Sequence, residues 1–156
     1  MQNSKIKKKI ITLIGPTACN KTSNAVHLIK KFPISIIGVD SVQIYKRFNI
    51  GSAKPPKEIL EKYKHHLVDS ADPENIFSVK DFYDQAYRIV IQAHSNNMIP
   101  LFVGGTMMYF NALFKGINDI PEGNEAIREE LQRELDNRGV DKLFNELKEI
   151  DPESAK

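Results

Sequence analysis

Three short stretches of this sequence carry residue types that can act on a phosphorylated substrate. The first is Gly15-Pro16-Thr17-Ala18-Cys19-Asn20-Lys21-Thr22. A loop of this spacing, between a strand and a helix, turns backbone N–H groups toward phosphate oxygens. The Lys21 ammonium would neutralise those oxygens, and the Thr22 hydroxyl would ligate Mg²⁺. The spacing is that of the Walker A loop with one departure, because Asn20 stands where the second glycine belongs. Asn is the next most tolerant of positive φ after glycine, but its side chain takes up room. The plain alternative is an ordinary strand-to-helix turn with a chance Lys-Thr pair. Cys19 fills a variable position of the loop.

The second stretch, Asp40-Ser41-Val42-Gln43-Ile44-Tyr45, sets an acid, a hydroxyl and an amide close together. A carboxylate there can accept a proton, and Ser41 and Gln43 can read the polar edge of a base. A lone Asp is as often a cap or a solvated loop acid. The third stretch is Gly104-Gly105-Thr106. Two glycines let the backbone come close to a ligand, and Thr106 would open a helix, either as its N-cap or with its hydroxyl in the same crevice. His65-His66 is not read as a metal pair, since adjacent side chains diverge.

The elements that must position these residues alternate along the chain. Lys9–Ile14 reads as a buried parallel strand, and Lys21–Lys31 as a helix with Ala25, Leu28, Ile29 and Phe32 on its inner face. Ile34–Val39 is a second strand that delivers Asp40. Ser41–Lys57 is a long polar loop with Gly51 and Pro55-Pro56, of the length that is functional or disordered in compact domains. Glu58–Lys64 is a short helix and His66–Val68 an edge strand. Ser78 and Asp81 match a capping box, opening a helix to about Ser95 with Phe82, Ala86, Ile89, Val90 and Ala93 inward. Ile99–Val103 is a further buried strand, followed by a helix carrying Tyr109, Leu113 and Phe114. After Pro121 the style changes to two charged amphipathic helices, Asn124–Arg138 and Asp141–Ile150. This alternation predicts a parallel α/β sheet. Residues 1–120 form the phosphate-loop α/β part, and residues 121–156 the start of a helical appendage.

Composition narrows the classes. The chain has 156 residues, 41% hydrophobic and 27% charged, which fits one soluble domain with a real core. A net charge of +2 excludes a strongly basic coat; any RNA contact must be local, with Lys54, Arg128 and the lysines of the last helices as candidates. The single cysteine excludes an internal disulfide framework and points to a reducing, cytoplasmic setting. The basic lead-in through Lys9 is a solvated tail rather than a signal peptide, and no apolar run is long enough to span a membrane.

In order along the chain, GPTACNKT, VDSVQIYKRFNIGSAKP, HHLVDSADP, FSVKDFY and IPLFVGGTMMYFNALFKG closely resemble the tRNA dimethylallyltransferases. The resemblance covers roughly Ile10 to Lys156, and DSVQIY and VGGTMMY carry most of its specificity. It implies a P-loop-type parallel sheet flanked by helices, with the start of a helical insertion at the C-terminal end. It also implies transfer of a dimethylallyl group from dimethylallyl diphosphate to the exocyclic amine of a tRNA adenine next to the anticodon. Gly15–Thr22 would hold the diphosphate with Mg²⁺, and Asp40 would be the general base. Ser41, Val42 and Gln43 would lie against the flipped-out adenine, Thr106 would lie near the bridging oxygen of the leaving diphosphate, and Arg128 would contact tRNA. By the same resemblance the full-length protein is a monomer without membrane association, and this chain reads as its truncated N-terminal part. A small ATP-dependent kinase and a non-enzymatic remnant are the competing readings.

Overall fold

The computed structural model describes residues 9–117 and 123–156. The expected basic lead-in, as far as it precedes residue 9, and the expected boundary after residue 120 lie outside them. Two compact units are present, one ending at Ile117 and one formed by Asn118–Lys156.

In the first unit four parallel strands, β1 (Ile11–Ile14), β2 (Ile34–Val39), β3 (His65–His66) and β4 (Ile99–Gly104), lie in the order β1-β4-β2-β3. Their connections carry helices α1 (Lys21–Ile29), α2 (Lys57–Lys62) and α3 (Val79–Ser95), and α4 (Met107–Lys115) follows β4. Strand alternation divides the core in two. Ile34, Ile36 and Leu101 point to one face, where Ala25 of α1 covers them. Ile37, Val39 and Phe102 point to the other, against Phe82 and Ala86 of α3 and Tyr109 and Phe110 of α4. Phe82 and Tyr109 stack with ring centroids 4.1 Å apart. With helices on both faces, every residue of ISIIGV is buried, as a central parallel strand requires.

The capping box at the start of α3 forms as expected: the Ser78 hydroxyl accepts from the Asp81 N–H at 3.1 Å, and the Asp81 carboxylate accepts from the Ser78 N–H at 2.9 Å. Ser78 thereby holds the Asp81 carboxyl below its usual range.

Three expectations about burial and extent are corrected. β1 is not buried: it is an edge strand, with Ile11 and Ile14 each 42% exposed, because its one partner among the described residues is β4. Phe32 is exposed because α1 ends at Ile29, so Phe32 leaves the helical face before it can turn inward. The third strand starts one residue early, at His65, and Leu67 already has positive φ.

The second unit holds α5 (Glu125–Arg138) and α6 (Val140–Ile150), joined by Gly139 at φ 79°. Asn124 caps α5 through its side-chain oxygen, which accepts from the Ala126 N–H at 2.9 Å. None of its described residues is buried. Among the described residues no helix is long and apolar enough to cross a membrane.

Candidate active site

Strand ends converge at the carboxyl edge of the sheet. Val39 and Gly104 are opposite one another in register. A Cβ on Gly104 would lie 2.0 Å from the Val39 carbonyl oxygen, so only glycine fits. That same carbonyl accepts the N–H groups of Gly105 and Thr106, at 3.2 and 3.3 Å. The Gly15 N–H donates to the Gly104 carbonyl at 3.3 Å, and a Cβ on Gly105 would lie 3.0 Å from the Gly15 carbonyl oxygen. The two glycines of the third stretch therefore let neighbouring backbone come close.

The phosphate loop leaves β1 at Gly15. Ala18 and Asn20 both take the left-handed conformation, φ 65° and 58°. Asn20 thus adopts the backbone that a glycine would supply, and α1 begins directly after it. Asn20 caps the helix by position only, without a side-chain bond to it. The Lys21 ammonium folds back on its own loop, donating to the Pro16 carbonyl at 2.5 Å and lying 3.6 Å from the Cys19 sulfur. Thr22 follows in the first turn of the helix.

Asp40 leaves the end of β2. One carboxylate oxygen, Oδ1, accepts the N–H groups of Val42 at 2.9 Å and Gln43 at 3.1 Å. These bonds fix the carboxylate and leave Oδ2 without a hydrogen bond to protein among the described residues. The Ser41 N–H donates to the Thr106 hydroxyl oxygen at 3.1 Å, which ties the second stretch to the third. Thr106 stands at the N-cap position of α4, but its hydroxyl makes no cap bond. Because that hydroxyl accepts from Ser41, its own proton remains available to donate. Gln43 is partly committed: its amide nitrogen donates to the carbonyls of Ser52 and Ala53, each at 3.1 Å. Its carbonyl oxygen is the end left for a substrate. Beneath the site, burial holds the Tyr109 phenol above its usual range, with Tyr45 and Asp40 adding to the shift.

In a cavity of about 670 Å³, Asn20, Lys21 and Thr22 line one side and Asp40, Val42 and Gln43 another, while Ser41 and Thr106 are not among its lining residues. Part of its remaining wall comes from the long loop that the sequence marked out by its length, though not by its place. Gly51, Ser52, Ala53 and Pro56 fold over from the long loop, with Ile59 of α2. The signal was present in Gly51-Ser52-Ala53 and Pro55-Pro56, but a loop's tip cannot be placed without its tertiary partners.

One such partner overturns the reading of Lys54 as a surface contact for RNA. Its side chain is 3% exposed. It donates to Asp69 at 2.6 Å, to the Tyr45 carbonyl at 2.9 Å and to Asn49 at 3.2 Å. Three acceptors inside the fold hold the ammonium away from solvent. Arg128 is exposed in the first turn of α5, in the second unit, where its N–H donates to the Asn124 carbonyl at 3.0 Å.

The donor set near the phosphate loop suits Mg²⁺, which is held by one or two protein oxygens together with substrate phosphates. Thr22 is such an oxygen, and no group of three or more His, Cys, Asp or Glu that could hold a metal occurs among the described residues.

Comparison with known proteins adds the following. The family model described as IPP transferase matches residues 43–156. A protein named tRNA dimethylallyltransferase from Dichelobacter nodosus is 43% identical over 146 residues, which is 94% of this chain and 46% of that one. The full-length tRNA isopentenylpyrophosphate transferase of Bacillus halodurans superposes with a TM-score of 0.69 at 37% identity, over 96% of this chain and 50% of that one. A eukaryotic dimethylallyltransferase acting on tRNA superposes with a TM-score of 0.77 at 28% identity, over 95% of this chain and 37% of that one. The chain thus spans about half the length of the curated relatives it matches.

Proposed function

The chain belongs to the IPP transferase family, and on that premise we propose that it supplies the diphosphate-binding and adenine-facing parts of a tRNA dimethylallyltransferase. The observation that carries this reading is the position of Asp40: its carboxylate is held by two backbone N–H groups and lines one cavity with Lys21 and Thr22.

The reaction joins the exocyclic nitrogen of adenine to the first carbon of the dimethylallyl group. The carbon–oxygen bond to diphosphate breaks, diphosphate leaves with the electron pair, and the amine loses a proton. The amine is a weak nucleophile, so orientation, proton removal and neutralisation of the leaving group must come from the site. Asp40 takes the proton at Oδ2. Lys21 exchanges its bond to Pro16 for the diphosphate oxygens, and the loop N–H groups of Gly15–Thr22 share the charge. Thr106 donates its free hydroxyl proton toward the bridging oxygen. Thr22 would hold Mg²⁺, which would supply positive charge to the leaving diphosphate. The adenine leaves its stack to reach the cavity, lies against Ser41 and Val42, and meets the carbonyl end of Gln43. Arg128 contacts the tRNA. The full-length protein is a cytoplasmic monomer in this reading, and the single free cysteine of this chain fits a reducing compartment.

The test is release of diphosphate from dimethylallyl diphosphate, measured for this chain and for the chain joined to the unmatched remainder of a relative. Release that requires tRNA supports the proposal. Phosphoryl transfer from ATP to a small acceptor, without tRNA prenylation, would establish the kinase reading instead. No turnover in either protein would favour a non-catalytic remnant.

A further inference from the structure

A second cavity, of about 530 Å³, lies in the first unit and shares Pro56 with the first. Its charged lining is four cations, Lys46, Arg47, Lys54 and Lys57, against one acid, Asp69. Lys54 and Asp69 satisfy each other. The other three cations have acidic partners: Lys46 pairs with Asp72 at 3.3 Å, Arg47 with Glu74 at 2.6 Å and Lys57 with Glu61 at 3.6 Å. None of those three acids lines the cavity. All three pairs are largely solvent-exposed, and exposed pairs of this kind contribute little, so a stronger anion can take the cations over. Arg47 is held in the left-handed conformation at φ 67°, which fixes where its side chain departs.

The neighbouring ring indicates which anion. Phe48 does not itself line the cavity but lies in sequence between two lining residues, Arg47 and Asn49; it is 46% exposed, its ring 5.8 Å from that of Tyr45. Cations interleaved with an exposed aromatic ring suit a single nucleic-acid strand, whose phosphates meet the charges while a base stacks on the ring. A free inorganic anion would have no use for the ring.

We propose that this second cavity binds a backbone phosphate of the RNA strand flanking the reacting adenine, with Lys46, Arg47 and Lys57 as donors and Phe48 as the surface for the attached base. The proposal rests on the RNA-substrate reading above. The shared wall at Pro56 sets the subsite beside the reaction cavity, so one strand can occupy both.

The experiment is fluorescence anisotropy of a labelled anticodon stem-loop RNA over a salt series, with calorimetry of dimethylallyl diphosphate and of inorganic phosphate alongside. The Lys46→Ala/Lys57→Ala double variant should lower the salt slope by about 0.7–1, since the two lysines share one phosphate, and weaken RNA roughly tenfold. Diphosphate affinity should stay at the parent value. Asp72→Asn should tighten RNA by releasing Lys46. Phe48→Ala should weaken RNA binding, and Phe48→Trp should retain it. Arg47→Gly keeps the left-handed backbone while removing the charge, and should behave like the lysine variants. Parent-like RNA affinity and slope in the charge variants would overturn the subsite and leave the RNA reading standing. Absence of RNA binding by the parent at low salt, with diphosphate still bound, would overturn both. Inorganic phosphate bound as tightly as the RNA would show a small-anion site and also overturn the proposal.

Discussion

Replacing Lys54 by methionine separates a structural cation from a surface one. Methionine has similar length and no charge, so the substitution removes the donors while nearly preserving the volume. Three acceptors lose their partner: Asp69, the Tyr45 carbonyl and Asn49. Breaking a fully buried charge pair from one side costs about 3–5 kcal/mol. Asp69 is 40% exposed and water can reach it, which places the expected loss near the low end, at about 3 kcal/mol. For a chain of 156 residues, each kcal/mol moves Tm by about 2–4 °C, so a drop of roughly 6–12 °C is expected. The loop that Lys54 pins also carries Ser52 and Ala53, the acceptors of the Gln43 amide, so the cavity wall should loosen too. Thermal unfolding followed by circular dichroism measures the drop. A shift of less than about 3 °C would refute the structural account. If RNA affinity alone then fell, Lys54 would be a surface contact after all.

Three further outcomes follow from the same geometry. Gly104→Ala should destabilise by about 3 kcal/mol, the upper part of the range for overpacking, because its Cβ would lie 2.0 Å from the Val39 carbonyl oxygen; parent-like urea unfolding would contradict this. Burial holds the His65 ring below its ordinary range, only partly opposed by its bond to the Tyr63 carbonyl. The unfolded chain therefore takes up the proton first as pH falls. The contribution of His65 to stability is complete above about pH 6.5 and declines as pH drops from there through the lower folded-state value; His65→Gln should lessen the fall in the urea midpoint between about pH 7.5 and 5.5, the remainder coming from His66, which burial also holds below its ordinary range. Lys21→Ala should weaken diphosphate binding by about 1.5–3 kcal/mol, the range of hydrogen bonds to charged groups, and calorimetry showing unchanged affinity would remove Lys21 from the site.

Much of this arrangement was legible in the residues themselves. ISIIGV and IPLFV announce strands buried on both faces, and the Ser78–Asp81 box fixes the start of α3. That Gly15–Thr22, Asp40 and Thr106 share one sheet edge was legible because each follows a strand, and all strands of a parallel sheet end on the same edge. Properties that depend on sheet order were not legible. KIITLI has the same local pattern in a central strand as at an edge, so the exposure of Ile11 and Ile14 could not be read from it. The role of Lys54 depends on Asp69, fifteen residues away, and no local periodicity links the two. The amphipathic pattern of α5 and α6 was legible, but not what covers their apolar residues; Ile127, Leu131 and Phe144 are about half exposed.

The central claim is that Asp40 removes the proton from the adenine amine. The direct measurement is prenyl transfer to tRNA by the Asp40→Asn variant, made in the chain joined to the unmatched remainder of a relative, with diphosphate affinity recorded on the same protein. Asparagine keeps the oxygen that accepts from Val42 and Gln43, so the loop should stay in place, but it cannot take the proton. The account predicts turnover lower by about 10²–10⁴, the range for losing a general base, with diphosphate affinity unchanged. Turnover at the parent rate would contradict it and leave Asp40 as the residue that shapes the turn after β2.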